Sequence, residues 1–232
     1  MSYSITYNNM TSESRGLKIV QRPNTPAPEP LYEPWEIPGR DGVLMPKELT
    51  YLPMEFPIRF NFMADFPSSW GSVYRAARRW LLGGSPGAEL KLSDDSLYFY
   101  KVYAVRIEET ERQSRLIGAF TAVFICDPFT YLDSGKTSVT VTSSINNIYD
   151  ISHPRYYVDH TGSWTLTVNG KTFTGSGRTY IDTDKQIAYD SQNNLINTST
   201  AGNFEDLYLI RGTNTVSVSS GTLLVVPNWR TL

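Results

Sequence analysis

Two stretches in the middle of the chain restrict its fold more than any others: "SLYFYKVYAVRIEE" (96–109) and "RLIGAFTAVFIC" (115–126), joined by "TERQS". Both are dense in β-branched and aromatic residues, which favour strands, and the short polar link makes them a long hairpin. Side chains alternate across a strand, so a residue's parity assigns its face. On the first strand Leu97, Phe99, Tyr103, Val105 and Ile107 take one face, and Tyr98, Tyr100, Val102 and Ala104 the other. On the second, Ile117, Ala119, Val123 and Ile125 stand opposite Phe120, Ala122 and Phe124. A sheet with one wet face alternates apolar with polar; this hairpin is apolar on both, so it must be covered twice. The chain's own helix or second sheet supplies one cover. The other comes from a second layer of the same chain or from a neighbouring subunit; the neighbour is the preferred reading, with Tyr98, Tyr100, Val102, Phe120 and Phe124 as the candidate subunit interface.

The rest of the first half supplies that inner cover. "SYSITYN" and "GLKIVQR" read as short strands. Residues 23–38, "PNTPAPEPLYEPWEIP", carry six prolines; a run without N–H groups at those positions excludes regular strand or helix and favours an extended surface path. "GRDG" makes a turn, and "LTYLPMEFPIRFNFMAD" returns to strand, with its prolines demoting parts of it to an edge. One helix follows in "DFPSSWGSVYRAARRWLLGG". Trp70, Val73, Tyr74, Ala77, Trp80 and Leu81 fall on one stripe of a 3.6-residue period, and Arg75, Arg78 and Arg79 take the far side as a solvated face partly offset by downstream glutamates. Asp65 or Ser68 can cap its start, and Gly83 can end it in a left-handed conformation.

Beyond Asp133 the composition shifts to Thr, Ser, Asn and Gly, which places a domain boundary there, between 1–133 and 134–232. The second part reads as wholly β, with strand and turn spacing suited to a sandwich. "SWTLTVNGKTFT" is a hairpin with Trp164, Leu166 and Val168 inward and Asn169-Gly170 as a type I′ turn. "RTYIDTDKQIAYD" gives a second hairpin around Thr183-Asp184, and "NTVSVSS" with "TLLVVPNW" a closing pair. Trp229 is expected to fill core and Arg230 to reach a surface carboxylate or a partner.

Residues suited to chemistry are sparse. The net charge of −2 and pI of about 5.7 give none of the basic excess that gripping nucleic acid phosphates requires. His153 and His160 lie in a spacing that suits no usual zinc site, and Cys126, the single cysteine, has no thiolate partner. No nucleophile elbow, zinc-protease, phosphate-loop or dinucleotide motif occurs. "GGSPG" (83–87) follows a helix rather than opening one, so it builds no anion site. The pairs Asp94-Asp95 and Glu108-Glu109 read as solvated turn and strand ends. The expectation is therefore a non-enzymatic protein without catalytic residues, metal or cofactor. Neither a leader peptide nor an apolar run long enough for a membrane span is legible, so no membrane insertion is expected.

Three segments near the end, "YIDTDKQIAYD", "GNFEDLYLIRGTNTVSVSSG" and "VVPNWRTL", resemble the C-terminal signature of the distal tail (Dit) proteins of phages with long non-contractile tails. In that family a hairpin with an Ile-Asp pair precedes a Gly-x-Asn turn, an alternating strand, and a last strand ending in Pro-x-Trp-Arg. In the first half "IPGRDG", the helix ending "RRWLL", "LYFYKVYAV" and "AVFICDPFTYL" are similar to the family's belt domain in the same order.

The resemblance implies a mainly β fold: an N-terminal β-sandwich with one α-helix and a long β-hairpin, which forms a ring, followed by a C-terminal galectin-like β-sandwich. It implies a structural virion protein, a distal tail hub whose homo-hexameric ring joins the tail tube protein to the tail-associated tip protein and the host-adhesion apparatus. The receptor-binding protein is a further partner, and DNA passes through the bore without sequence-specific binding. Location in the virion tail tip, after assembly in the host cytoplasm, follows from the same likeness. The proline-rich stretch reads longer than the family's connection, and the second domain has no room for an inserted carbohydrate-binding module. Two rivals remain. One is a carbohydrate-binding module that contacts the host cell wall through exposed aromatics such as Trp164 or Tyr180. "HPR" (153–155) resembles part of a galectin sugar motif, although no Trp-Gly-x-Glu follows it. The other rival is a tail-associated hydrolase using Asp94 or Asp95.

Overall fold

The computed structural model describes residues 3–31, 35–39, 41–44 and 49–232. Tyr32, Glu33 and Pro34 of the proline-rich stretch and Arg40 of the "GRDG" turn lie outside the described residues. The chain divides into two compact units, Met1–Thr130 with Leu232, and Tyr131–Thr231.

The first unit is built on an antiparallel sheet. Its strands are β1 (Ile5–Tyr7), β2 (Met10–Thr11), β3 (Leu17–Ile19), β4 (Pro30–Leu31), β5 (Trp35–Glu36), β6 (Val43–Leu44), β7 (Thr50–Tyr51), β8 (Met54–Met63), β9 (Ala88–Leu92), β10 (Asp95–Glu111) and β11 (Ile117–Leu132), with helix α1 (Trp70–Leu82) between β8 and β9. The main sheet runs β2-β1-β9-β10-β11-β8-β3. β1 turns into β2 through Asn8 and Asn9, both at positive φ (48° and 62°), the two-residue turn whose twist matches that of the strands.

Regular pairing does occur within the proline-rich stretch. β4 pairs with β7, and β5 pairs with β6. The prolines do not prevent the β4 ladder because Pro30 starts it, and the flanking bonds use carbonyl acceptors: Leu52 N–H donates to Glu29 O (2.8 Å) and Thr50 Oγ1 to Leu31 O (3.3 Å). In β8, Met54, Phe56, Ile58, Phe60 and Phe62 alternate inward along one face. β3 pairs with Phe60–Phe62, and among the described residues no strand pairs with Pro57 on that side of β8.

Helix α1 covers the inward face of the sheet. Ala77, Trp80 and Leu81 are buried, while Trp70, Val73 and Tyr74 pack partly buried against the same core. Both end signals differ from expectation. Neither Asp65 nor Ser68 caps the helix; Ser69 holds that position, and its hydroxyl donates to Phe66 O (2.8 Å) and accepts from Phe66 N–H (3.2 Å) in a preceding 3₁₀ turn. Gly83 is not left-handed (φ −89°, ψ 4°). It is close packing that favours glycine here, because a Cβ would sit 2.5 Å from Arg79 O. Among the described residues, Arg75, Arg78 and Arg79 pair with no carboxylate; Arg78 lies over the Tyr74 ring, and the glutamates expected to offset them engage other arginines.

The second unit contains β12 (Val139–Thr140), β13 (Ser144–Asn147), β14 (Arg155–Asp159), β15 (Ser163–Val168), β16 (Lys171–Ser176), β17 (Thr179–Asp182), β18 (Ile187–Tyr189), β19 (Gly212–Val218), β20 (Thr222–Val226) and β21 (Arg230–Thr231). β12 to β20 form a five-stranded sheet, β12-β20-β14-β17-β18, and a four-stranded sheet, β13-β19-β15-β16, while β21 pairs with the end of β11. Tyr156, Val158, Ile181, Leu223 and Val225 from the first meet Trp164, Leu166, Val168, Phe173 and Val216 from the second in one core, which makes a β-sandwich. Each such side chain stabilises the fold by about 1.5–3 kcal/mol through burial. Asn169 and Gly170 take positive φ (49° and 80°), as a type I′ turn requires.

The closing pair is not a hairpin. β19 belongs to the four-stranded sheet and β20 to the five-stranded one, so Ser219–Gly221 carries the chain from one layer to the other. Two alternating strands around a Gly-containing turn look the same in sequence whether they pair or arch over a core. Here Val216 faces Leu223 and Val225 across that core, and Gly221 (φ 88°) allows the arch because a Cβ would lie 2.7 Å from His160 Cβ.

Candidate assembly and binding surfaces

The hairpin that demanded two covers obtains both in part from its own unit. Tyr100, Val102, Phe120 and Phe124 are buried in the core that α1 covers, beside the inward side chains of β8, and Tyr98 is half-buried. The first four therefore present no surface to a neighbour, and parity alone could not reveal this. The inward face of β10 also changes parity: Tyr100 and Val102 point to the core, and so do Val105 and Ile107. One extra residue, as in a bulge, is needed to make that switch.

The outward face of β11 lies under two charged bridges. β11 runs between β10 and β8, and Thr121, Val123 and Ile125 sit opposite Arg59, Pro57 and Glu55. Arg59 on β8 reaches across to Glu111 (2.9 Å) and Glu109 (3.7 Å) on β10, and Thr121 Oγ1 donates to Glu109 (3.3 Å). Arg106 on β10 reaches the opposite way to Glu55 (3.2 Å). The aliphatic stems of such side chains cover apolar surface while their heads stay wet. Val123 is accordingly only 4% exposed beneath them. What remains open is at one end of this face, where Met63 (71%) and Ile117 (38%) sit opposite one another and Phe66 (68%) follows.

The motif residues at the end of the chain have specific structural duties. Asn214 is fully buried, and its amide is saturated: it accepts from Asn169 Nδ2 (2.8 Å) and Ile210 N–H (2.9 Å) and donates to Ile210 O (2.7 Å) and Gly212 O (3.0 Å). Pro-Asn-Trp-Arg docks on the turn 133–136. Leu132 N–H donates to Trp229 O and Asn228 N–H to Gly135 O (both 2.9 Å), and Gly135 leaves room for the Trp229 backbone. Asn228 takes φ 50° and donates its side-chain amide to His153 O (2.8 Å). Trp229 packs partly buried on the sandwich core. Arg230 turns inward, donating to Ile151 O (2.6 Å) and to His153 Nε2 (3.1 Å), while His153 Nδ1 meets Asp184 Oδ1 (3.0 Å) and the ring stacks on Tyr208 (4.0 Å). The tautomer that satisfies both partners carries its proton on Nδ1.

His153 is thus an anchor for the terminal strand. Cys126 is fully buried, and burial pushes its thiol up to about 12, which leaves it inert as a nucleophile at neutral pH. Asp94 lies 3.9 Å from Arg22, and Glu108 and Glu109 belong to the bridges on Arg106 and Arg59. Among the described residues no group of three or more His, Cys, Asp and Glu could hold a metal, and no helix is long and apolar enough to cross a membrane.

Of the two aromatics considered for surface contact, Trp164 is removed: it is 2% exposed and its indole donates to Gly177 O (2.8 Å). Tyr180 stands on the outward face of the five-stranded sheet. The register aligns Leu224, Tyr157, Tyr180 and Tyr189 in a single row across β20, β14, β17 and β18. The three phenol rings stack, with centroids 4.4 and 5.2 Å apart and planes 23° and 8° from parallel. Burial, and then the Asp159 carboxylate, push the Tyr157 hydroxyl above its ordinary value. Sequence showed three tyrosines on three strands; pairing them needed the register.

No family model matches the chain, and no curated protein matches it in sequence. Among solved structures it is similar to the SPP1 Dit (gp 19.1) protein, described as a paradigm of the hub adsorption apparatus in phages infecting Gram-positive bacteria. That likeness has 13% identity and a TM-score of 0.67, over 100% of this chain and 99% of the other. Chains of the phage P2 baseplate in its activated conformation are also similar, with Ca at 8% identity, TM-score 0.55 and 100% and 98% coverage, and with Sr at 8%, 0.54 and 97% of each chain. At these identities the likeness is one of fold. The fold is shared along the whole chain with SPP1 Dit and with these phage P2 baseplate chains, and SPP1 Dit is a member of the family its sequence motifs resemble.

Proposed function

We propose that the chain is a structural, non-enzymatic subunit of a phage tail tip: a distal tail hub protein, carried in the virion after assembly in the host cytoplasm. In this reading residues 1–133 form the belt of a homo-hexameric ring and 134–232 a galectin-like sandwich. The ring joins the tail tube protein to the tail-associated tip protein and the adhesion apparatus, and DNA passes through its bore. The observation that carries the reading is the end-to-end fold match to SPP1 Dit, which covers 100% of one chain and 99% of the other. The signature residues support it, because Gly212, Asn214, Asn228 and Arg230 all have structural work at the end of the sandwich. The mildly acidic pI of about 5.7 suits a bore through which DNA slides without sticking.

Size exclusion with light scattering tests the assembly. Six copies of the 26.2 kDa chain predict about 157 kDa, or twice that for stacked rings. A species that stays at 26.2 kDa and also fails to associate with purified tail tubes refutes the reading.

A further inference from the structure

The tyrosine row borders a shallow groove of about 390 Å³ on the outward face of the five-stranded sheet, lined by Ser138, Arg155, Tyr157, Tyr180, Tyr189 and Leu224 among others. Its composition is mixed in a particular way. Phenol rings and an aliphatic side chain give apolar area, and the hydroxyls of Tyr157, Tyr180, Tyr189 and Ser138 are interspersed with it. Arg155 is the one formal charge among the described lining residues, and it is exposed. It has no ion pair among the described residues. Asp182 lies opposite it on β17, but lies beyond ion-pair distance and accepts the Lys185 N–H (3.1 Å).

Those features select the occupant. A purely apolar partner would strip water from the guanidinium without replacing it, which disfavours such a partner. An acidic group replaces that water with a charge-assisted, forked hydrogen bond. A peptide strand recognises a sheet through free backbone groups at an edge. β14, which carries Arg155 and Tyr157, is paired on both sides, with β17 and β20, so it offers no such edge. A sugar ring presents C–H faces to apolar area and a rim of hydroxyls to phenols that can each donate and accept. We propose that this groove binds an acidic saccharide chain, with its carboxylate or phosphate on Arg155 and a neighbouring sugar or polyol unit along Tyr157, Tyr180 and Tyr189. The site stands whether or not the chain forms a ring, so calorimetry on it and light scattering on the hub reading can fail separately.

Titration calorimetry of the full chain tests it with four probes: a hyaluronan tetrasaccharide, which carries carboxylates; an oligomer of glycerol phosphate, which carries phosphates; neutral cellotetraose; and hexaglutamate. One acidic saccharide or polyol oligomer is expected to bind, and which of the two does so identifies the acid. Cellotetraose and hexaglutamate are expected to bind at least tenfold more weakly. Arg155→Gln should reduce binding of the acidic oligomer at least tenfold with an unchanged unfolding midpoint. Tyr180→Phe, which keeps the ring, should weaken it several-fold. The proposal is overturned if neither acidic oligomer binds at millimolar concentration, if hexaglutamate or cellotetraose binds as well, or if Arg155→Gln binds like the parent.

Discussion

Replacing Gly118 with alanine should damage the first unit far more than one added methyl suggests. Gly118, the second residue of β11, lies directly opposite Phe62 on β8. A Cβ there would stand 2.5 Å from Phe62 Cζ, 2.7 Å from Phe62 Cε1 and 2.9 Å from Trp70 Cζ2. Neither ring can step aside cheaply, because both belong to one aromatic cluster: Phe62 lies 5.3 Å from Trp70, 6.2 Å from Tyr74 and 6.4 Å from Phe120. Overpacking of this kind costs about 1–3 kcal/mol, and loosened aromatic pairs add about 0.5–1.5 kcal/mol each. The smaller conformational freedom of unfolded alanine returns about 0.4–1 kcal/mol. The expected net loss is about 2–3 kcal/mol, which lowers the urea midpoint of the first unit by about 1–2 M. The control is a double-mutant cycle with Phe62→Leu, which lacks the colliding ring atoms; in that background the alanine should cost about 1 kcal/mol less or better. A Gly118→Ala midpoint within about 0.3 M of the parent, or a cycle with no coupling, would show that the rings are not seated on the glycine and would refute the reasoning.

The second unit repeats the device, since Gly175 lies opposite Trp164 and a Cβ would be 2.7 Å from Trp164 Cη2. Gly175→Ala should destabilise the sandwich by about 2 kcal/mol, lowering its calorimetric midpoint by about 8 °C or more. At Asn228, glycine keeps the φ of 50° and loses only the bond to His153 O, whereas alanine loses both. Asn228→Ala should therefore cost about 2 kcal/mol and Asn228→Gly about 1 kcal/mol, and the reverse order in urea titration would sink the account of the terminal strand. Burial raises Cys126 from its ordinary 9.0 to about 12, and raises Tyr7 and Tyr100 for the same reason. Because the fold holds their neutral forms, stability is complete below pH 9.0 and declines as pH climbs through about 12; flat urea midpoints across that window would contradict the assignment. A disulfide-exchange reagent at neutral pH should label Cys126 only after denaturation.

Much of this architecture was legible locally. The stripe from Trp70 to Leu81 announced α1, since a 3.6-residue period has one structural solution. The inward run Trp164, Leu166 and Val168 and the Asn169-Gly170 turn announced their hairpin, since φ above zero at both central positions selects those residue types. These are consequences of sequence-adjacent sterics and periodicity, and they hold wherever the element ends up. Pairing between distant strands is different. The arch from β19 to β20, the burial of Phe120 and Phe124 in the chain's own core, and the charged bridges over Val123 depend on which strands become neighbours. The row of Tyr157, Tyr180 and Tyr189 depends on register to the residue, because a slip of one place would turn each ring to the other face. Composition and period decided by themselves that this chain would be two β-rich units with one helix. Only the packed structure, which sets contacts between residues far apart in sequence, decided which surfaces were left to meet a partner.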